Sequence, residues 1–110
     1  MRLSTDIWLS ALIRRAELAG AYATVIRKGD ARGGAVLVKV ADRRAGMFHL
    51  YAETIKANGD RLWIQPVASI EEADLDAYAV RAARIDPDVW VVEIDDVQGR
   101  HFLTEAVEKS

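Results

Sequence analysis

The sequence predicts an α+β domain: an antiparallel sheet of about four to six strands, a meander plus a C-terminal hairpin, with two helices packed mainly on one face. Three observations carry this reading. Apolar residues recur at helical spacing near the N-terminus and again around residues 69–85. Between those stretches lie β-branched runs separated by glycine-rich turn signals. A last run after Pro87 alternates apolar and charged residues around Gly99. With 110 residues, the chain fits one domain over 1–110, long enough to bury roughly two-thirds of its unfolded surface.

Taken in order, Ser4 or Thr5 caps the first helix and Asp6 sits in its first turn, where a carboxylate favours the positive end of the dipole. Trp8, Leu9, Leu12, Ile13, Ala16 and Ala19 follow at helical spacing, and Gly20 ends the helix. "AYATVIRK" passes through "GDARGG" into "AVLVKVAD", read as two strands joined by a flexible hairpin connection. "RRAG" turns the chain into "MFHLYAET", with Gly46 left-handed, so that Val40 faces Phe48 and Lys39 faces His49. "ANGD" fits a tight hairpin turn with two positive φ angles, returning through "RLWIQPV". "SIEE" reads as a capping box on Ser69 and Glu72. The second helix then turns Leu75, Tyr78, Ala79, Ala82 and Ile85 inward until Asp86-Pro87 stops it.

Composition excludes several classes. The chain has no cysteine, hence no disulfide framework, thiolate zinc site or cysteine nucleophile. Its net charge of -2 gives no global basic field for nucleic acid. Charged residues interrupt the N-terminal apolar patch, so neither a signal peptide nor a membrane span is expected, and a cytoplasmic location is.

The candidate chemistry lies in "DPDVWVVEIDDVQGRHF". A turn at Val97-Gln98-Gly99 places Ile94 opposite Phe102, on a core face with Trp90 and Val92. The other face pairs Asp95 with His101, next to Glu93, and Asp96 meets Arg100 at the turn. Glu93, Asp95 and His101 are the candidates for a divalent metal site or an acid–base pair. Solvated groups on a hairpin face keep ordinary acidity, and no known ligand spacing accompanies them, so the structural reading is preferred. "GDARGG" lacks the following helix that a phosphate loop requires. Arg14, Arg15, Arg43 and Arg44 are candidate anion contacts, but nucleic acid is not an expected partner without interleaved aromatics. The wide apolar arc of the first helix makes Trp8, Leu9, Ile13 and Leu18 a candidate interface.

Together, "RLSTDIWLSALIRRAELAGAYATVIRKGD", "GAVLVKV", "RLW" and "DPDVWVVEIDDVQGRHFL" resemble a small bacterial family, domain of unknown function family 1491, found largely in alphaproteobacteria. The resemblance covers nearly the whole chain and implies a short single-domain protein. It brings no catalytic residue, substrate or cofactor. The expectation is a non-enzymatic binding or protein-interaction module, with a homodimer or protein partner engaged through the first helix and no cofactor. The alternatives are a hydrolase-like, metal-dependent enzyme using Glu93, Asp95 and His101, or weak nucleic-acid binding through the arginine pairs.

Overall fold

The structure, a computed structural model, describes residues 3–108. Its elements run α1 (Thr5–Leu18), β1 (Tyr22–Arg27), β2 (Val36–Asp42), β3 (Met47–Ile55), β4 (Arg61–Ile64), α2 (Glu72–Ile85), β5 (Trp90–Asp95) and β6 (Ala106–Val107). The fold is α+β with one six-stranded sheet, in the order β1-β5-β2-β3-β4-β6. The sheet is mixed rather than purely antiparallel. β5 runs parallel to β2 and antiparallel to β1, and β6 runs parallel to β4.

Inserting β5 between β1 and β2 corrects two expectations. "GDARGG" is not a hairpin turn, because the strands it joins are not neighbours. No C-terminal hairpin forms either, because both edges of β5 are already occupied. The turn itself is as read: Gly99 is left-handed (φ +65°), and Asp96 and Arg100 pair at 2.8 Å. The chain then leaves the sheet, bends through Phe102 (φ +59°), and returns as β6 beside β4.

The loop before β2 shows what the glycines do. The Asp30 amide donates to the Asp88 carbonyl (3.0 Å), and the Trp90 indole donates to the Asp30 carbonyl (2.7 Å). A methyl group on Gly29 or Gly34 would collide with the Asp88 carbonyl oxygen. The loop is therefore a backbone clasp around the entry to β5.

The helices cover opposite faces, not one. Trp8, Leu9, Leu12 and Ala16 of α1 pack with Val36, Val38, Val40, Val92 and Ile94. Leu75 and the alanines of α2 pack with Leu37, Leu50, Ala52 and Val91. Alternation along β2 separates the two cores, and its first six residues are all buried. The β2–β3 register is one residue off the expected one: Val40 faces His49 and Lys39 faces Leu50. Asp42 pairs with Met47 across the Arg43–Gly46 loop, and this shift of one residue moves His49 to the α1 face.

Three smaller corrections are local. Lys56 and Asp60 close a three-residue loop (2.8 Å) in which Gly59 is left-handed and Asn58 is not. Ser69 does not cap α2; its hydroxyl accepts from the Glu71 amide and donates to Asp74. Ile85, read as inward, is exposed.

Of the four α1 interface candidates, Trp8 and Leu9 are buried inside the chain, Ile13 is half-buried and Leu18 is exposed. Trp8 stacks on Trp63 with centroids 5.4 Å apart. Both indoles donate to one carboxylate, Trp8 to Glu105 Oε2 and Trp63 to Glu105 Oε1, each at 3.0 Å. Arg61 lies over the Trp8 ring at 4.8 Å. Burial pushes the Glu105 carboxyl up, but the two indole hydrogen bonds outweigh it and hold the group below its usual range.

Gly29→Ala and Gly34→Ala should each lower stability by about 1–3 kcal/mol in urea unfolding, the scale of forced overpacking. Gly33→Ala, which meets open space, should change it by under about 0.5 kcal/mol. A depressed carboxylate stabilises the fold above its ordinary value of 4.5 and loses that contribution as pH falls through the folded value. The stability gap between the wild type and Glu105→Gln should therefore shrink between pH 7 and pH 3, followed by tryptophan fluorescence.

Candidate functional site

On the α2 face, strand register lines up three rows. Tyr22, Asp95, Ala41 and Phe48 form one, and Thr24, Glu93, Lys39 and Leu50 the next. Arg27, Val91, Leu37 and Ala52 form the third. Glu93 and Asp95 are two residues apart on β5 and so share this face with Lys39. The first turns of α2 bring Glu72 and Asp76, four residues apart on one helical face, over the same lysine.

The Lys39 ammonium is buried and meets three carboxylates: Glu72 Oε2 at 2.7 Å, Asp76 Oδ1 at 2.7 Å and Glu93 Oε1 at 3.2 Å. An ammonium has three donors, so none is left over. Arg43 bridges the outer edge of the cluster, reaching Glu72, Glu93 and Asp95, each at 3.0 Å. Both cations lie over the Phe48 ring, at 6.0 and 5.6 Å.

The acidities follow from this packing. Burial works against the Lys39 charge, but the hydrogen bonds it donates to Asp76, Glu72 and Glu93 win and raise its pKa above 10.5. Lys39 is therefore held as an ammonium and has no lone pair for Schiff-base or nucleophilic chemistry. Lys39 foremost, then Arg43, lowers Glu72. Burial raises Glu93, yet its hydrogen bonds, including those from Arg43 and Lys39, bring it below the ordinary value. Asp95 goes the other way, raised by burial and then by neighbouring Glu93, with Arg43 opposing.

The Glu93, Asp95 and His101 trio is divided by the sheet. His101 packs edge-on against Tyr51, on the α1 side, with ring centroids 5.2 Å apart. Its Nδ1 accepts from the Leu103 amide (2.9 Å), and burial lowers its pKa, both consistent with a neutral ring. Among the described residues, no group of three or more histidines and carboxylates is arranged to hold a metal ion. The arginine candidates are dispersed as well. Arg15 donates to the Phe102 carbonyl on the α1 side, Arg43 is engaged with carboxylates, and Arg14 and Arg44 are exposed on separate elements.

The feature that sequence reasoning missed is a groove beside this cluster. α2 packs towards β3 and buries Val91 of β5, so the β1 edge of the face, where Ile26 is exposed, lacks a helix above it. There the structure has an open cavity of about 530 Å³. Its apolar lining includes Ile26, Leu50, Leu75, Ala79, Val80 and Val91. Lys39, Glu72, Asp76 and Glu93 mark one end. Arg27 marks the other, held by the Pro87 and Val89 carbonyls at 2.9 and 3.0 Å. The available signals were a lysine inside the apolar run "VLVKV" and carboxylates at i and i+4 in α2.

The sequence model of the family described as "Protein of unknown function (DUF1491)" matches residues 3–104. The chain belongs to the DUF1491 family. A crystal structure of a DUF1491 family protein from Caulobacter crescentus CB15 superposes with a TM-score of 0.94 at 69% identity, covering 97% of this chain and 100% of that one. An NMR structure of a DUF1491 family protein from the same organism gives a TM-score of 0.93 at 69% identity, covering 99% of each chain. A solution structure from A. tumefaciens gives a TM-score of 0.82 at 31% identity, covering 100% of this chain and 99% of that one. No curated protein matches. The DUF1491 likeness therefore supports the fold and leaves activity to the geometry. Among the described residues, no helix is long and apolar enough to cross a membrane.

Lys39→Met should take the ammonium from Asp76, leave Glu72 and Glu93 to Arg43 alone, and cost about 1–3 kcal/mol in urea unfolding. This is below the ~3–5 kcal/mol of a fully buried pair, because Asp76 and Glu72 reach solvent. Amide exchange should accelerate in the first turns of α2 and remain unchanged in α1.

Proposed function

We propose that this protein is a non-enzymatic binding module whose working surface is the groove between α2 and β1. The carrying observation is the open apolar cavity of about 530 Å³, within the ~300–1,000 Å³ typical of binding pockets. Its walls are apolar side chains, and its polar groups are gathered at the ends, an arrangement that holds a ligand by area and orients it by charge. Val80 and Ile26 stand more than half exposed on opposite rims, although burying them would be favourable.

The charge chemistry supports binding over turnover. Lys39 is fixed as a cation, and Glu93 is ion-paired rather than poised as a base. The histidine that a hydrolase would use lies across the sheet. The docking surface also moves away from the first helix, because Trp8 and Leu9 are used inside the chain.

Titration with Nile red, a neutral dye that brightens in apolar surroundings, tests the reading. Saturable binding at about one dye per chain is expected, weakened at least about tenfold by Val80→Arg, which places a charge on the rim. No brightening, or an unchanged titration with Val80→Arg, removes the groove as a binding surface.

A further inference from the structure

Resting on the groove reading above, we infer that the occupant is an amphipathic helix of a protein partner, lying alongside α2 with its cationic end at Glu72, Asp76 and Glu93 and its anionic end at Arg27. The first argument is space. β1, β5, β2 and β3 are consecutive in the sheet, so the outer two lie about 14 Å apart at ~4.8 Å per strand. Helices packed side by side need about 8–10 Å between axes. With α2 seated towards β3, the uncovered side has room for one more helix. α2 has 14 residues, so the wall it offers is about 21 Å long, close to four turns.

The second argument is charge complementarity. At the α2 N-terminal end, two positive groups, Lys39 and Arg43, face four carboxylates, Glu72, Asp76, Glu93 and Asp95. The Asp76 side chain remains 56% exposed, so its carboxylate is open to a second cation. At the other end, carbonyl oxygens hold Arg27, and among the described residues no carboxylate forms an ion pair with it. Between these ends the lining is apolar. A helix dipole is positive at its N-terminus and negative at its C-terminus. The complementary ligand therefore runs parallel to α2, with Lys or Arg in its first turn, Asp or Glu in its last, and one apolar stripe facing Ile26, Val80 and Val91.

Two fluorescein-labelled peptides of about 14 residues test this on the full chain by anisotropy. They share composition and apolar stripe, but one carries lysines first and glutamates last, and the other the reverse. The lysine-first peptide is the poorer isolated helix, so free helicity biases the comparison against the expected result. It should nevertheless bind about tenfold tighter. Asp76→Asn should reduce that preference, while Glu72 and Glu93 still hold Lys39. Val80→Arg should abolish binding of both peptides. Equal affinities, or tighter binding of the glutamate-first peptide, overturn the inference. Nile red binding that is lost with Val80→Arg, without binding of either peptide, sinks the helix and leaves the groove as a small-molecule site. Failure of dye and peptides alike sinks both.

Discussion

The architecture turns on the parallel pairing of β5 with β2, in the slot that chain order would leave to β1. Each other feature answers a demand made by that pairing. A parallel neighbour needs a crossover, and α2 supplies it on one face. A central strand is buried on both faces, so β2 carries Val36, Val38 and Val40 towards α1 and Leu37 towards α2. The entry to β5 must be closed without side chains in the way, which is the work of Gly29 and Gly34 against the Asp88 carbonyl. The exit must leave the sheet, because no edge of β5 remains free. The Glu105 carboxylate anchors that departing segment by accepting from Trp8 and Trp63.

The same pairing creates the charge cluster. Parallel register sets Lys39 beside Glu93, and α2 lowers Glu72 and Asp76 onto the ammonium. A buried charge is tolerated only when it is paired and hydrogen-bonded, and here each ammonium proton has an oxygen. Lys39 thus ties β2, β5 and α2 together. Its partners anchor the N-terminal end of α2, while Leu75 and the alanines seat the helix towards β3. The groove is the space left on the β1 side once α2 is held there. Cluster and groove arise from one packing decision, and the acidic residues that resemble a catalytic site serve as structural anchors and as one pole of the groove.

Relatives at 69% and 31% identity share this topology over nearly their whole lengths. A TM-score of 0.82 at 31% identity indicates that the strand order survives extensive side-chain replacement. The fold is thus a family property, while the groove chemistry described here belongs to this chain's residues.

Local periodicity was legible in the sequence because it depends on near neighbours. Helical spacing located both helices, Gly20 and Asp86-Pro87 ended them, and Gly46 and Gly99 were rightly placed as left-handed. The pairing of Asp96 with Arg100 was legible for the same reason, since both lie in one turn. Partner choice was not. "VLVKVA" and "WVV" break simple alternation, the mark of strands buried on both faces, but periodicity cannot say which strand lies beside which. A one-residue shift of register across the Arg43–Gly46 loop exchanged the faces of β3, which sent His49 across the sheet and set Leu50 beside Lys39. His101 was separated from Glu93 and Asp95 because β1 and β2 had already taken both edges of β5. Near-neighbour sterics and spacing write the elements into the chain. Which faces and edges meet depends on contacts between distant residues, and only packing in three dimensions decides it.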